Sequence, residues 1–330
     1  MAVQKLKYWP AATFWAATSL FVGLFHAAAK TPSHPLMWTT LGTDSGPIVQ
    51  VERSQPANMM MVNSKPWLID CGDGTLERLA ATGHQARQVA VVFLSHLHME
   101  NVDGLQGLIG LRWMGGASSV LTIYGPPGTD IVVAGLLQSM KPASMIVNTA
   151  SGAQNPPPET MVKVVIVRDG SDFAIDGVRV RAVRNTHFDK PPGHSMNPST
   201  QSLSYRFDKD GYSLGYAADT GPSDAVTKLE TGADLLVSNV IDVPAIISEA
   251  ETREPGMAAS EKAMLLTHLL TQHLTPEDAG RIATAAHVRR MVFTHLAIVG
   301  PKNLTAQKLI AEAHTTFGGE VEVANDLDTF

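Results

Sequence analysis

The chain has 330 residues, of which 44% are apolar and 17% charged, so it is long enough and apolar enough to bury a large core. Its net charge is −6, and it contains no long basic run. Because phosphate binding uses clustered lysine and arginine side chains, this charge balance predicts that nucleic acid is not a partner.

The first 29 residues differ in kind from the rest. Two lysines and no acid lie in 1–7, 18 uncharged and mostly apolar residues follow at 8–25, and Ala27 and Ala29 form an Ala-x-Ala cleavage site. This layout is typical of a secretory signal. We therefore predict a signal peptide at 1–29, a periplasmic or secreted location, and a single domain at 30–330. The apolar stretch is also long enough for an uncleaved membrane anchor, and only then do we expect membrane contact.

Strand-like and helical segments alternate along the first half of the chain. The β-branched and apolar run at 88–96 fits a buried strand, and the apolar spacing at 102–114 fits a helix. Further strand-like segments occur at 37–43, 67–72 and 120–125, and further helical ones at 75–83 and 129–140. The single cysteine, Cys71, excludes an intrachain disulfide, and we interpret it as a buried small apolar residue.

The second half repeats this alternation. Strands are predicted at 161–170, 173–183, 202–219 with a hairpin turn at 208–211, 233–241 and 289–296, and helices at 222–232, 275–287 and 303–317. Strands with covering helices in both halves predict an α/β fold in which two sheets pack face to face with helices outside.

Metal-ligating side chains follow several of these predicted strands. They are His96 and His98, His187, Asp219, and His295. In layered α/β folds, sites assemble at strand ends, where a rigid strand positions each ligand. A lone histidine at a strand end is more often structural than a ligand, but the order of these groups along the chain is much more specific.

In this order the motifs resemble the metallo-β-lactamase superfamily, and within it the branch that contains tRNase Z and the arylsulfatase-like hydrolases. The resemblance covers nearly all of 36–330. It rests on LGTDSGP at 41–47, LIDCGDGT at 68–75, SHLHMENVDGL at 95–105, NTHFD at 185–189, AADTGPSDA at 217–225, QHLTPEDAG at 272–280 and FTHL at 293–296. It implies a four-layer αβ/βα sandwich with metals at one sheet edge, and a homodimer.

Carried over residue by residue, the resemblance implies a ligand set for one or two metal ions. His96, His98 and His187 would hold the first metal, and Asp219 would bridge to the second. The second-metal positions are taken by Glu100, Asn101 and His295. The family usually binds zinc, sometimes iron or manganese, and imidazole with carboxylate suits any of these ions.

Two of these positions depart from the family pattern, which has aspartate at 100 and histidine at 101. Glu100 keeps the charge but is about 1.5 Å longer. Asn101 offers a neutral amide oxygen, a poor substitute for imidazole at zinc or iron. We therefore expect weaker binding of the second metal.

The expected function is an exported, metal-dependent hydrolase in which a metal-bound hydroxide attacks a small-molecule ester. A sulfate or phosphate ester leads, and a lactone or carboxylic ester is an alternative. Asp219 and Glu100 would hold the metal and water, and His273, just before a predicted helix start at Thr275, would act as acid or oxyanion contact. The alternative from another class is a non-catalytic metal-binding protein with a degraded second site.

Overall fold

The computed structural model of the chain describes residues 34–146, 155–189, 200–298 and 302–330. The predicted signal segment at 1–29 lies outside them, so the signal and the export that it implies stay predictions. All described residues belong to one compact unit, Ser33–Phe330. Within the described residues, no helix combines the length and apolarity that crossing a membrane requires.

Two β-sheets form the centre of the fold. The first contains β1 (Met37–Gly42), β2 (Ala57–Val62), β3 (Lys65–Cys71), β4 (Val91–Phe93), β5 (Leu121–Gly125) and β6 (Val162–Ile166). The second contains β7 (Asp172–Ile175), β8 (Val178–Arg184), β9 (Leu203–Lys209), β10 (Tyr212–Ala218), β11 (Leu235–Ile241), β12 (Arg290–Ala297) and β13 (Glu320–Val323). Strands are adjacent in numerical order in each sheet, so each half of the chain builds one sheet.

The described part of the chain also forms α-helices, some of which cover the outer faces of the sheets. They are α1 (Thr75–Ala81), α2 (Met99–Val102), α3 (Leu105–Met114), α4 (Thr129–Ser139), α5 (Lys141–Ser144), α6 (Asp224–Leu229), α7 (Val243–Arg253), α8 (Ala259–Gln272), α9 (Pro276–Ala285) and α10 (Lys302–Ala313). One apolar cluster joins α1, α3 and α4 to the first sheet, and another joins α6, α9 and α10 to the second. The predicted four-layer αβ/βα sandwich is confirmed.

Large aromatic side chains fill the space between the sheets. Trp67 and Phe93 from the first sheet meet Tyr205 and Phe207 from the second, and all four are buried. The ring of Phe93 lies 5.4 Å from that of Tyr205 and 5.3 Å from that of Phe207, both edge-on. Aromatic pairs in this geometry contribute about 0.5–1.5 kcal/mol beyond their buried area. This inner core fixes the sheets relative to each other, and therefore fixes the strand ends that carry the candidate ligands.

Two features differ from the sequence predictions. The run at 57–62 forms β2, joined to β3 by a two-residue turn in which Asn63 and Ser64 both have positive φ. That backbone suits the right-handed twist of a hairpin. Residues 243–272, for which no element was predicted, form the helical hairpin α7–α8. Cys71 is buried as predicted, and burial raises the pKa of its thiol to about 12.

Candidate metal centre

Two loops of the inner strands bring three histidines together. His96 and His98 lie between the end of β4 and the start of α2, with His96 fully buried and His98 about half exposed. His187 follows β8, and its backbone N–H donates to the side-chain oxygen of Asn185 at 3.1 Å, which shapes the turn that presents its ring. The sequence prediction that these three side chains meet agrees with where the structure places them.

The three imidazoles converge on one point through specific nitrogens. His98 Nδ1 lies 3.1 Å from His96 Nε2 and 3.3 Å from His187 Nε2. A tetrahedral zinc ion with Zn–N bonds of 2.0–2.1 Å separates its nitrogen ligands by about 3.3 Å. The observed spacings match this value, so the cluster can hold a divalent metal ion.

Hydrogen bonds on the far side of two rings leave the converging nitrogens free of protons. His187 Nδ1 lies 3.1 Å from the carbonyl oxygen of Gln272, which can only accept, so this nitrogen carries the proton. Ser95 Oγ lies 2.8 Å from a carboxylate oxygen of Asp70 and 3.0 Å from His96 Nδ1. The hydroxyl donates to Asp70 and accepts from His96. Both Nε2 atoms therefore present lone pairs, as metal ligation requires.

Asp219 stands between this cluster and the fourth histidine. Its Oδ2 lies 3.8 Å from His187 Nε2, 4.0 Å from His96 Nε2 and 3.0 Å from His295 Nε2. A carboxylate in this position can reach two neighbouring ions. His295 was expected at a strand end, but it lies inside β12, where the pairing with β11 shifts register.

Strained backbone aims these side chains. His295 and Ala218, the residue before Asp219, have φ values of 49° and 57°. Asp70, which supports His96 through Ser95, has φ 57° at a register shift between β2 and β3. Left-handed conformations are rare outside glycine and cluster at functional sites, and bulges re-aim side chains in the same way.

The two departures from the family pattern occupy different surroundings. The carboxyl of Glu100 lies beside the cluster, with Oε1 3.6 Å from His98 Nδ1. Asn101 is buried, and its Oδ1 has no hydrogen-bond partner among the described residues.

His273 lies beside Asp219, between the end of α8 and the start of α9. Its Nδ1 is 3.8 Å from Asp219 Oδ1, too long for a hydrogen bond, and neither atom has a partner among the described residues. Thr275 caps α9 by accepting from the Asp278 N–H at 3.2 Å, so the predicted helix start is confirmed. His268 packs edge-on against His273, with ring centres 5.3 Å apart.

Burial and proximity set the protonation of the cluster. Burial lowers the pKa of His96 well below its usual value and that of His187 to about 4, so both rings are neutral at pH 7. Burial would raise the pKa of Asp219, but the imidazoles of His295 and His187 hold it well below its usual range. Burial would lower the pKa of His295, but Asp219 raises it. Neutral imidazoles and an ionised carboxylate are the forms that bind metal.

A cavity of 600 Å³ opens onto the cluster. Its floor carries His98, Glu100, His187, Asp219, His273 and His295, and its walls come from loop 45–50 and the α7–α8 hairpin. A larger cleft of 940 Å³, bordered by α3, α4 and α5, holds none of the candidate ligands. We therefore take the smaller cavity as the candidate substrate site.

Several contributors were missed by sequence reasoning. Phe188 packs against the three converging histidines, with its ring centre 4.9 Å from that of His187. Ser95 and Tyr216 both donate to Asp70, and the hairpin supplies a cavity wall. Only the hairpin had a usable signal: Asp242 caps α7 by accepting from the Ala245 N–H, and Pro244 follows in the first turn.

Comparison with known proteins places this geometry in a family. The model of the beta-lactamase superfamily domain matches residues 67–296. Ribonuclease Z of Mycobacterium bovis (strain BCG / Pasteur 1173P2) is 30% identical over 294 residues, which cover 88% of this chain and 95% of that protein.

Solved structures share the fold. The metallo-beta-lactamase fold protein YhfI from Bacillus subtilis superposes with a TM-score of 0.64 at 20% identity, covering 90% of this chain and 99% of that one. The short form of human tRNase Z gives a TM-score of 0.59 at 21% identity, covering 89% and 98%.

These relatives overturn two sequence expectations. The expected reaction, hydrolysis of a small sulfate or phosphate ester, with its lactone, carboxylic-ester and non-catalytic alternatives, is wrong because the matching relatives are ribonucleases. The exclusion of nucleic acid, in favour of a small-molecule ester as the only substrate, is wrong for the same reason. Net charge sums the whole chain, whereas an RNA cleavage site needs positive charge only where the phosphate binds, and metal ions supply charge that lysine and arginine counts omit. The predicted homodimer stays a prediction.

Proposed function

The chain belongs to the metallo-β-lactamase superfamily of hydrolases, on its tRNase Z branch, and on that premise we propose that it is a metal-dependent ribonuclease that hydrolyses a phosphodiester bond in RNA. The convergence of His96 Nε2, His98 Nδ1 and His187 Nε2 beside Asp219 carries the proposal. These four side chains lie together, and His98, His187 and Asp219 line an open cavity, which supports the proposal.

The proposal assigns each ligand a place. His96, His98 and His187 would hold the first metal, and Asp219 would be shared with the second. His295 and Glu100 would hold the second metal, with the unpartnered amide oxygen of Asn101 as a weak additional ligand. Zinc is the first candidate, since three neutral imidazoles and a carboxylate suit its tetrahedral preference, with iron and manganese as alternatives.

A bound divalent cation supplies Lewis acidity, which activates water at neutral pH and neutralises charge on the phosphate. The residues of the chain do the rest. Asp219, whose Oδ1 has no other partner among the described residues, accepts a hydrogen bond from the attacking water and orients it. His273 donates a proton to the leaving oxygen as the P–O bond breaks, and the N-terminus of α9 beside it favours the anionic phosphate.

Cleavage of a 3′-extended precursor tRNA by the purified, metal-loaded protein tests the proposal. We expect a discrete cleavage product, its loss in the presence of a chelator, and its loss in His187→Ala. His84→Ala is the control, since the ring of His84 hydrogen-bonds Thr82 and belongs to none of the candidate metal groups among the described residues. If the metal-loaded protein cleaves neither precursor tRNA nor unstructured RNA, the proposal fails.

A further inference from the structure

The α7–α8 hairpin brings a charged pair to the mouth of the cavity. Glu249 and Arg253 lie one turn apart on α7, and both line the cavity. The guanidinium of Arg253 donates to the carboxylate of Glu249 through Nη2. The Arg253 side chain remains 53% exposed, so part of its donor set faces the opening.

Arg253 is the only lysine or arginine among the described residues that line this cavity. The neighbouring wall of the hairpin is apolar and consists of Ile246, Leu265 and Leu269, with Ile241 beneath them. A single cation next to an apolar wall fits a ligand with one anionic group and one flat, weakly polar group. A nucleotide has this chemistry.

The ion pair is weak enough to be exchanged. Half-exposed ion pairs of this spacing on a helix contribute little to the stability of the fold. A phosphate can accept two parallel hydrogen bonds from the planar guanidinium group. It can therefore replace the Glu249 carboxylate as the partner of Arg253. Glu249 therefore holds Arg253 in place and competes with an incoming phosphate.

We propose that Arg253 binds a phosphate of the nucleotide next to the scissile bond, while the apolar wall of the hairpin receives the base. The proposal rests on the proposed ribonuclease function and names the residue that contacts substrate outside the metal centre. Arg253 contributes to substrate binding, whereas the residues on the cavity floor contact the reacting atoms.

The test uses two substitutions that should change KM in opposite directions. Arg253→Gln should raise KM for 3′-extended RNA about tenfold with little change in kcat, because a charge-assisted hydrogen bond is lost. Glu249→Gln should lower KM, because it frees Arg253 from its competitor. Lys262→Gln and Glu251→Gln are matched controls: they form a similar exposed pair on the same hairpin, and neither lines the cavity.

The direction of the two changes in KM distinguishes this proposal from a purely structural role of the ion pair. If the pair only stabilises α7, Arg253→Gln and Glu249→Gln shift KM in the same direction, and the proposal is overturned. It is also overturned if Arg253→Gln behaves like Lys262→Gln.

A second substrate separates this proposal from the ribonuclease function. Bis(p-nitrophenyl) phosphate has no neighbouring phosphate, so Arg253→Gln should raise KM for it much less than it raises KM for 3′-extended RNA. If no variant cleaves RNA, the ribonuclease function fails, and calorimetric titration with adenosine 5′-monophosphate decides the binding site. Weaker binding by Arg253→Gln and tighter binding by Glu249→Gln support it, and equal affinities contradict it.

Discussion

Gly46 lacks a side chain where the carboxyl group of Glu100 lies: a β-carbon on Gly46 would stand 2.4 Å from Glu100 Cδ. The longer side chain of Glu100 therefore fits because it packs against the backbone of Gly46, which carries no side chain. Because of this contact, the loop can accommodate the extra methylene of Glu100 while its carboxyl group stays near the histidine cluster.

Gly46→Ala should therefore displace Glu100 and remove most of the second metal while the first remains. The clash involves the end of a flexible side chain, so we expect the protein to fold. Elemental analysis of the purified variant checks this. Gly135→Ala is the control, since a β-carbon there meets nothing within 4 Å. A Gly46→Ala protein with unchanged metal content would show that Glu100 does not ligate.

Asn101→His should raise the metal content toward two ions per chain. Imidazole is a much better ligand for zinc or iron than an amide oxygen, and the Asn101 Oδ1 has no partner among the described residues to lose. Elemental analysis measures the content, and thermal unfolding checks that the larger ring fits. An unchanged metal content in a folded variant would mean that position 101 does not face the second site.

Ser95→Ala should weaken binding of the first metal about 10- to 100-fold, the usual effect of removing a group that orients a ligating histidine. The hydroxyl connects Asp70 to His96 and fixes the tautomer of that ring. Competition with a chromophoric chelator gives the affinity. Ser238→Ala, another buried serine whose hydroxyl bonds only a backbone carbonyl, should leave the affinity unchanged. Equal affinities in the two variants would rule out the orienting role.

The order of ligands along the chain was readable because each follows or belongs to a strand with a recognisable apolar or alternating pattern. The supporting contacts were not, because they join distant residues: Tyr216 donates to Asp70 across 146 positions of sequence. The bulge that aims His295 likewise depends on pairing between β11 and β12. The α8 helix was missed because it is nearly all exposed, with Leu269 its single buried residue. An element that buries so little leaves a weak periodic signal.

Glu230 gives a pH-dependent test of the second sheet. It is fully buried, neither carboxyl oxygen has a hydrogen-bond partner among the described residues, and burial raises its pKa to about 8. Between the unfolded value of 4.5 and about 8, only the folded chain holds the proton, so stability falls as pH rises. The loss amounts to about 5 kcal/mol over this window at 1.36 kcal/mol per unit.

Glu230→Gln cannot titrate, so it should lack this slope. Denaturant unfolding of both proteins across the window gives the difference in their free energies of unfolding, in which other titrating groups cancel. The difference should move in favour of Glu230→Gln as pH rises. A difference that stays constant with pH would show that Glu230 has an ordinary pKa.

The central claim is that the histidine cluster holds the metal on which RNA cleavage depends. The most direct test is to strip the protein of metal, add zinc in steps, and measure both bound zinc per chain and the rate of cleavage of a 3′-extended precursor tRNA. We predict that the rate rises with zinc bound at the first site, and that His96→Ala neither binds this zinc nor gains activity. Cleavage that is independent of bound metal, or unchanged in His96→Ala, would contradict the account.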